Sequence, residues 1–158
     1  MQNFTVSPLA ETLIDNEKRK NVIADLARMA DAYIHSLKGI SSVFIKTGYT
    51  AVVKTRKDAL PHYLDLYIDD FVEAVEPWHC EYRSNPQPPL KTLFEKNNTA
   101  IANALLNVTD KKIHTTTNPT ITKIYKTFRP QAQKHINDVI PRLADIIDKH
   151  TLITKNSD

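Results

Sequence analysis

The stretch richest in reactive side chains is residues 76–81, Glu-Pro-Trp-His-Cys-Glu. Glu76 and His79 have the Glu-x-x-His spacing of di-iron carboxylate bundles, but those sites need two such motifs and two further glutamates. The sequence has one motif, with Pro77 inside it. Consecutive helical residues point about 100° apart, so His79, Cys80 and Glu81 cannot all reach one ion. The ligand count therefore predicts no metal site.

Cys80 is the single cysteine of the chain, so no intramolecular disulfide can form. It could act as a nucleophile if His79 or His62 lowered the pKa of its thiol. The alternative is an ordinary, partly buried thiol at the end of a helix. With only 2 glycines, the sequence has no P-loop, dinucleotide-binding or Gly-x-Ser-x-Gly pattern. We therefore expect no cofactor.

Charge is segregated along the chain, although the formal net charge is only +3. The segment from Asp58 to Tyr82 has acids but no Lys or Arg, whereas residues 111–137 have basic residues but no acid. Residues 32–57 are also free of acids. A basic face of this kind is typical of surfaces that bind phosphate-bearing or acidic partners. The candidate anion- or partner-binding residues are Lys111, Lys112, His114, Lys123, Lys126, Arg129 and Lys134.

The same charge pattern also has a structural explanation, in which acidic and basic helices pair within the bundle or are each solvated. The acids on one side of the fourth predicted helix indicate a solvated face. Nucleic-acid binding would need aromatic side chains for base stacking. The basic segment has only Tyr125 and Phe128, whose spacing fits a helical core better. The acids assigned to the solvated face are Asp65, Asp69, Glu73 and Glu76.

Three functional interpretations remain open. The first is a non-enzymatic binding or interaction protein whose charged surface holds an acidic protein or a phosphate-bearing partner. The second is a nucleic-acid-associated protein that uses residues 111–137. The third is a metal or thiol enzyme around His62, Glu76, His79 and Cys80. The first is favoured because the other two lack parts that their chemistry requires.

Helices must position these residues, because few glycines and 9 prolines disfavour hairpins. Residues 39–57 have an apolar arc wider than the usual stripe of about 100°, which predicts a central helix covered on more than one side. Gly48 lies within that arc, where a close helix crossing would explain it. Gly39 is expected to form a left-handed C-cap. Pro77 and Trp78 are further expected structural residues.

Helix boundaries follow from periodicity, caps and prolines. Asp15 or Asn16 can cap the second helix and Asp58 the fourth, which Pro77 should kink or end. Pro130 should separate two further helices, and Pro141 should kink the last. The predicted segments are a short helix from Ser7-Pro8, helices over 17–37, 39–57, 58–77, 90–108, 118–129 and 131–149, a connector at 84–89 and a polar loop at 110–118. The whole is an all-α bundle of about six or seven helices, one domain at 7–150, with flexible termini at 1–6 and 151–158.

Several segments resemble a small bacterial family known only as a domain of unknown function. They are Ile45 to Lys54 (IKTGYTAVVK), Phe71 to Trp78, Ala104 to Asp110 (ALLNVTD) and Pro141 to His150. The resemblance extends over most of the chain. It implies a compact helical protein and no particular activity.

The sequence also bears on location. The N-terminus has neither a basic region nor an apolar region of the kind that signal peptides carry. No apolar run approaches the ~20 residues that a membrane span needs. We therefore expect a cytoplasmic protein without a membrane span, and the oligomeric state is left open.

Overall fold

Seven α-helices make up the part of the chain that the computed structural model describes, residues 8–15 and 17–155, with side chains through residue 151. No strand occurs among these residues, so the prediction of an all-α bundle in a single domain is confirmed. The helices are α1 (Pro8–Leu13), α2 (Lys18–Ser36), α3 (Ile40–Thr55), α4 (Ala59–Ser84), α5 (Leu90–Lys96), α6 (Asn98–Lys112) and α7 (Pro119–Lys155), with a 3-10 turn at Ile113–Thr115. The predictions for residues 1–7, for Asn16 and for residues 156–158 lie outside the described residues.

The two longest helices, α4 and α7, organise the bundle. Each packs against α1, α2, α3, α5 and α6, so α2 and α6 both contact the two long helices. Their apolar faces meet in a common core, because a helix with an apolar stripe must bury it against neighbours. The buried core cluster consists of Leu9, Leu13, Val22, Ile23, Ile68, Val72, Val75, Leu90, Phe94, Ile101, Ile140, Ala144 and Ile147.

Helix α3 lies at the periphery, so the prediction that residues 39–57 form the central helix is wrong. Its buried residues are Ser42 and Gly48, and none of its side chains belongs to the core cluster. Ile40 is 93% exposed and Val43 is 64% exposed. An apolar arc shows what a helix can bury, whereas coverage of the arc depends on helices distant in sequence.

Both glycines occupy positions that a side chain would disturb. Gly48 faces α7, and a Cβ built on it would come within 2.3 Å of the Phe128 ring. This distance is well inside van der Waals contact, so α3 approaches α7 closely at this point. Gly39 has φ +92° and ψ −177° directly before α3, a conformation essentially limited to glycine. The expected left-handed C-cap is therefore absent, and α2 is instead followed by an extended Leu37.

Three prolines lie inside long helices. Pro77 does not end α4, and α7 passes through both Pro130 and Pro141, so the prediction of two helices separated at Pro130 is wrong. Pro77 and Pro130 are exposed, as are Glu73 and Lys126 four positions earlier. The carbonyl groups that lose a helical N–H partner can therefore bond to water, while packing on the opposite side maintains the helix.

Residues 90–118 are more helical than predicted. α5 and α6 replace the single helix expected at 90–108, and the break falls at Asn97. The Asn97 side-chain amide donates to the Leu93 carbonyl oxygen at 2.9 Å, and the Asn97 backbone N–H donates to the same oxygen at 3.1 Å. α6 and the 3-10 turn continue to Thr115, into the polar loop expected at 110–118. α7 likewise continues to Lys155, beyond the end expected near residue 149.

Of the two aspartates expected to cap helices, only Asp15 does so with its side chain. Asp15 Oδ1 accepts hydrogen bonds from the backbone N–H of Glu17 at 3.1 Å and of Lys18 at 2.9 Å. These donors would otherwise lack partners at the start of α2. The Asp58 carboxylate instead pairs with the Arg56 guanidinium at 2.6 Å. The competing arginine two residues away explains this difference.

Candidate functional site

His79 and Cys80 have different surroundings on α4. His79 is 5% exposed, whereas the Cys80 thiol is exposed. His79 Nδ1 and the Glu76 carboxylate both bond to the Arg83 guanidinium. Glu76 Oε2 also accepts a 3.1 Å hydrogen bond from the Leu9 backbone N–H. The bond to Leu9 joins α1 to α4, so Glu76 serves the packing of helices, whereas Arg83 links Glu76 and His79 within α4.

The other parts of the hypothetical thiol or metal site are not brought together. His62 and Cys80 lie on the same helix, about 27 Å apart along its axis at ~1.5 Å per residue. His62 packs edge-on against the Tyr63 ring. Within the described part of the chain, no group of three or more His, Cys, Asp or Glu residues could hold a metal ion. Trp78 is half-buried and packs against the core cluster.

Two of the predicted anion-binding residues are ion-paired inside the bundle. Lys112 Nζ lies 2.7 Å from Asp70 Oδ2 and donates to the Leu66 carbonyl oxygen at 3.3 Å. The Arg129 guanidinium donates to both carboxylate oxygens of Asp110, at 2.8 and 2.9 Å. These cations tie α6 to α4 and α7 to α6. Neighbouring carboxylates therefore partly neutralise their charges.

The pairing also shifts protonation equilibria. The hydrogen bond from Arg129 outweighs desolvation and lowers the pKa of the Asp110 carboxyl. The hydrogen bond to Asp70 outweighs desolvation and raises the pKa of Lys112. Each shift favours the charged form, which reinforces both ion pairs at neutral pH.

Three of the four acids on the predicted solvated face of α4, Asp65, Asp69 and Glu73, are exposed as expected, and Glu76 is only half-buried. Glu76 bonds to Leu9 and Arg83, as described above. Arg19 of α2 bonds to Asp65 at 2.8 Å and to Asp69 at 2.9 Å. Its guanidinium also donates to the Asp65 carbonyl oxygen at 2.8 Å. The exposed side of α4 thus also carries ion pairs to α2.

An open groove of about 710 Å³ lies where the chain enters α7. Lys123 and Lys126 are exposed there, and neither forms an ion pair with another described residue. Threonine hydroxyls supply most of the other polar groups. We call this feature the basic groove; its lining residues are Thr116, Thr117, Pro119, Thr122, Lys123, Lys126 and Thr127.

The remaining predicted anion-binding residues, Lys111, His114 and Lys134, are exposed and lie close to the basic groove in sequence. At about 100° per residue, Lys134 falls within the same ~80° strip of α7 as Lys123 and Lys126. Lys111 and His114 are exposed in the last turn of α6 and in the 3-10 turn that leads towards the basic groove. The structure thus divides the predicted surface into exposed residues and the internally paired Lys112 and Arg129.

A second concave feature, an apolar cavity of about 420 Å³, has no counterpart among the predictions from sequence. Side chains from α1, α2, α3, α4, α6 and α7 line it, and almost all are aliphatic or aromatic. Most of these residues belong to the periodic apolar faces that predict a core. No sequence signal distinguishes a face that packs to full density from one that leaves space beside it.

The polar groups in the cavity wall already have partners. The Tyr33 hydroxyl donates to Asp138 Oδ2 at 2.7 Å and lies 2.8 Å from His135 Nδ1. The Thr109 hydroxyl donates to the Leu106 carbonyl oxygen at 2.9 Å. A buried water needs two to four polar partners, so this wall is poorly suited to hold water.

The apolar cavity opens to solvent, so a ligand could enter it. Its volume of about 420 Å³ lies in the usual range of small-molecule sites, about 300–1,000 Å³. The cavity is therefore a second candidate functional site.

A polar cluster borders this cavity where α2 meets α7. Burial and the hydrogen bond to Asp138 raise the pKa of Tyr33, so the phenol stays protonated. Since its hydrogen goes to Asp138, the Tyr33 oxygen accepts from His135 Nδ1, which is thereby the protonated ring nitrogen. The Arg142 guanidinium lies 5.9 Å from the centre of the Tyr33 ring. Arg142 is exposed and has no carboxylate partner among the described residues.

Comparisons with known proteins place this architecture in a family. No helix in the described residues is long and apolar enough to cross a membrane. No curated protein and no solved structure matches the chain. A family described as "Family of unknown function (DUF6918)" matches residues 9–151, which include all residues that line the basic groove and the apolar cavity. This match confirms the resemblance to a family of unknown function, and the chain therefore belongs to DUF6918.

Proposed function

We propose that this chain is a non-enzymatic binding protein whose basic groove holds carboxylate or phosphate groups of a protein partner. The observation that carries the proposal is the pair of exposed lysines, Lys123 and Lys126, in a groove otherwise rich in threonine hydroxyls. No acid occurs from residue 111 to residue 137, so no neighbouring carboxylate in this segment neutralises them. Local potential of this kind attracts anions even when the net charge of a protein is small.

The start of α7 adds to this potential. Helix N-termini carry a partial positive charge of about half a unit, which favours nearby anions. Asn118 Oδ1 accepts a 3.0 Å hydrogen bond from the Thr120 backbone N–H and so fixes the entry to the helix. The threonine hydroxyls of the basic groove can donate to the oxygens of a bound anionic group. Charge and hydrogen-bond donors thus occur on the same surface.

Nucleic acid is the second candidate partner, and the aromatic residues of the segment argue against it. The Tyr125 hydroxyl bonds to Asp110 and lies 2.8 Å from the Thr109 hydroxyl. The Phe128 ring packs 4.4 Å, centre to centre, from the Phe44 ring. Both aromatic rings are thus in contact with other residues of the bundle, whereas proteins that bind single-stranded nucleic acids present exposed rings on which bases stack. We therefore favour a protein partner.

A pair of double variants tests this proposal. Lys123→Gln with Lys126→Gln removes both groove charges, and Lys20→Gln with Lys96→Gln removes two exposed charges elsewhere. Fluorescence anisotropy at low salt would measure binding to a polyglutamate peptide, a phosphopeptide, duplex DNA and single-stranded DNA. We expect the groove variant to lose at least tenfold in affinity for the peptides, about 1.4 kcal/mol, and the control to retain wild-type affinity.

Two outcomes would reject the proposal. One is a wild-type protein that binds no polyanion at low salt. The other is an equal loss in both double variants, because net charge would then explain the binding. Tighter binding to duplex DNA than to peptides would favour the nucleic-acid alternative. In that case the log–log salt slope should change by about one unit for each lysine that contacts phosphate.

A further inference from the structure

The apolar cavity and its bordering polar cluster provide evidence independent of the basic groove. The cavity of about 420 Å³ lies within the bundle, lined from both α4 and α7. Its few polar side chains bond to each other or to the backbone. Engineered apolar cavities lined in this way stay free of water and bind small apolar molecules. The chemistry of the wall thus selects an apolar occupant.

We propose that the cavity binds a fatty acid, with its aliphatic chain among the helices and its carboxylate at Arg142. Ligand sites are typically apolar pockets with a few polar groups that orient the ligand. Here the apolar part is the cavity, and the polar part is the cluster of Tyr33, His135, Asp138 and Arg142. The proposal does not depend on the function of the basic groove.

An extended aliphatic chain suits an apolar space of about 420 Å³, which lies in the usual range of small-molecule sites. Met29, with its flexible thioether side chain, is in the wall and can adjust to chains of different shape.

Arg142 is the group best suited to a carboxylate. It lies over the Tyr33 ring, and Tyr33 is itself part of the cavity wall. A guanidinium presents paired N–H donors that match the two oxygens of a carboxylate. The neighbouring Asp138 already accepts the hydrogen of the Tyr33 hydroxyl at 2.7 Å, and no ion pair between Asp138 and Arg142 occurs in the described residues. Arg142 is therefore available to an anionic headgroup at the cavity border.

Displacement of a fluorescent fatty acid by unlabelled saturated fatty acids of increasing length tests the proposal in the full-length protein. We expect the affinity to rise about fourfold per methylene while the chain still enters the cavity, and then to level off. Absence of binding by any fatty acid to the wild-type protein would overturn the proposal. Affinity that continues to rise with length, without levelling off, would also overturn it, because such behaviour indicates adsorption on an open surface.

Variants that fill the apolar cavity test where the fatty acid binds. Ala30→Leu and Ala132→Leu each place a larger side chain into the wall, whereas Ala32→Leu makes the same change at an exposed position of α2. We expect both filling variants to weaken fatty-acid binding at least tenfold and the control to bind as wild type. Both should retain or raise the melting temperature, since they fill empty space. Unchanged binding in a folded filling variant would place the ligand elsewhere and overturn the proposal.

The carboxylate contact needs a separate comparison. Arg142→Gln should weaken a fatty acid about tenfold and leave the fatty alcohol of the same length unaffected. Equal effects on both ligands would overturn the assignment of Arg142. The variant with Lys123→Gln and Lys126→Gln should bind fatty acid as wild type does, so that failure of the basic groove and failure of the cavity are distinguishable.

Discussion

Gly48 and Phe128 show how the absence of a single side chain sets the distance between two helices. The sequence makes Gly48 conspicuous, because a glycine inside a helix is about 1 kcal/mol less favourable than alanine. The structure supplies the partner, since a Cβ at Gly48 would lie 2.3 Å from the Phe128 ring. The Phe128 ring in turn packs against Phe44. The constraint at one residue thus depends on a contact that spans 80 positions.

A double-mutant cycle tests this contact. Gly48→Leu should destabilise the protein by about 1–3 kcal/mol or more, because overpacking forces both α3 and the Phe128 ring to move. Gly48→Ala should change the free energy of unfolding less favourably in the wild-type protein than in a Phe128→Ala background. In the Phe128→Ala background, helix propensity alone should let Gly48→Ala stabilise the protein by up to about 1 kcal/mol.

Urea and thermal unfolding of Gly48→Leu and of the four proteins in the cycle (wild type, Gly48→Ala, Phe128→Ala and the double variant) measure these differences. The close contact would be disproved if Gly48→Leu melted at the wild-type temperature. It would also be disproved if Gly48→Ala had the same effect in both backgrounds.

At the scale of helices, Lys111 and Lys112 differ sharply although they are adjacent in sequence. Lys112 pairs with Asp70 of α4 and donates to the Leu66 carbonyl oxygen, whereas Lys111 is exposed. The rotation of about 100° between consecutive helical residues is enough to separate a residue that joins two helices from one that faces solvent. Charge composition alone therefore cannot distinguish the two roles.

This pair of lysines forms a matched experiment. Lys112→Gln should lower the free energy of unfolding by about 0.2–1 kcal/mol, the usual range for an exposed ion pair. Lys111→Gln should leave it unchanged. Chemical denaturation at low and high salt measures both, and the Lys112 effect should shrink at high salt because ions screen exposed charges. Equal effects of the two substitutions would contradict the α6–α4 ion pair.

Over the whole molecule, an ionic cluster joins α2 to the C-terminal part of α7. The Asp25 carboxylate is 9% exposed and lies 2.8 Å from Lys149 Nζ and 2.7 Å from His150 Nε2. Arg28 also bonds to it. Desolvation opposes ionisation of Asp25, but the hydrogen bonds from Lys149, His150 and Arg28 outweigh it and lower its pKa. The cluster therefore connects segments more than 120 residues apart.

The lowered pKa of Asp25 predicts acid sensitivity. Because the unfolded state, with a pKa of about 3.9, binds the proton more readily, the stabilisation is fully present above that pKa. It is lost as the pH falls through the lower folded-state pKa. Asp25→Asn should destabilise the protein by about 1–3 kcal/mol at pH 7 and by clearly less near pH 3.

Urea unfolding at the two pH values measures this difference. Asp145→Asn is the control, since Asp145 forms only an exposed pair with Lys91. A pH-independent effect of Asp25→Asn would contradict an ionised Asp25 in the folded state.

The sequence by itself determined the helical class and several helix boundaries. The prediction for α2 at 17–37 matches Lys18–Ser36 closely, since its period of 3.6 residues and its Asp15 cap are local features. Gly48 and Asp15 were recognisable for the same reason. Gly48 departs from the local preference against glycine inside a helix, and Asp15 satisfies the local preference for aspartate at an N-cap. The membership in a helical family of unknown function likewise followed from residues in the sequence.

Only the tertiary structure decided the rest. The position of α3 at the periphery, the passage of α7 through Pro130 and the internal pairing of Lys112 and Arg129 all depend on distant helices. The apolar cavity is the clearest case, since its wall comes from six helices. Periodicity shows which face of a helix avoids water, but it does not show how completely other faces fill the space beside it. That space is set by the packing of residues far apart in the chain.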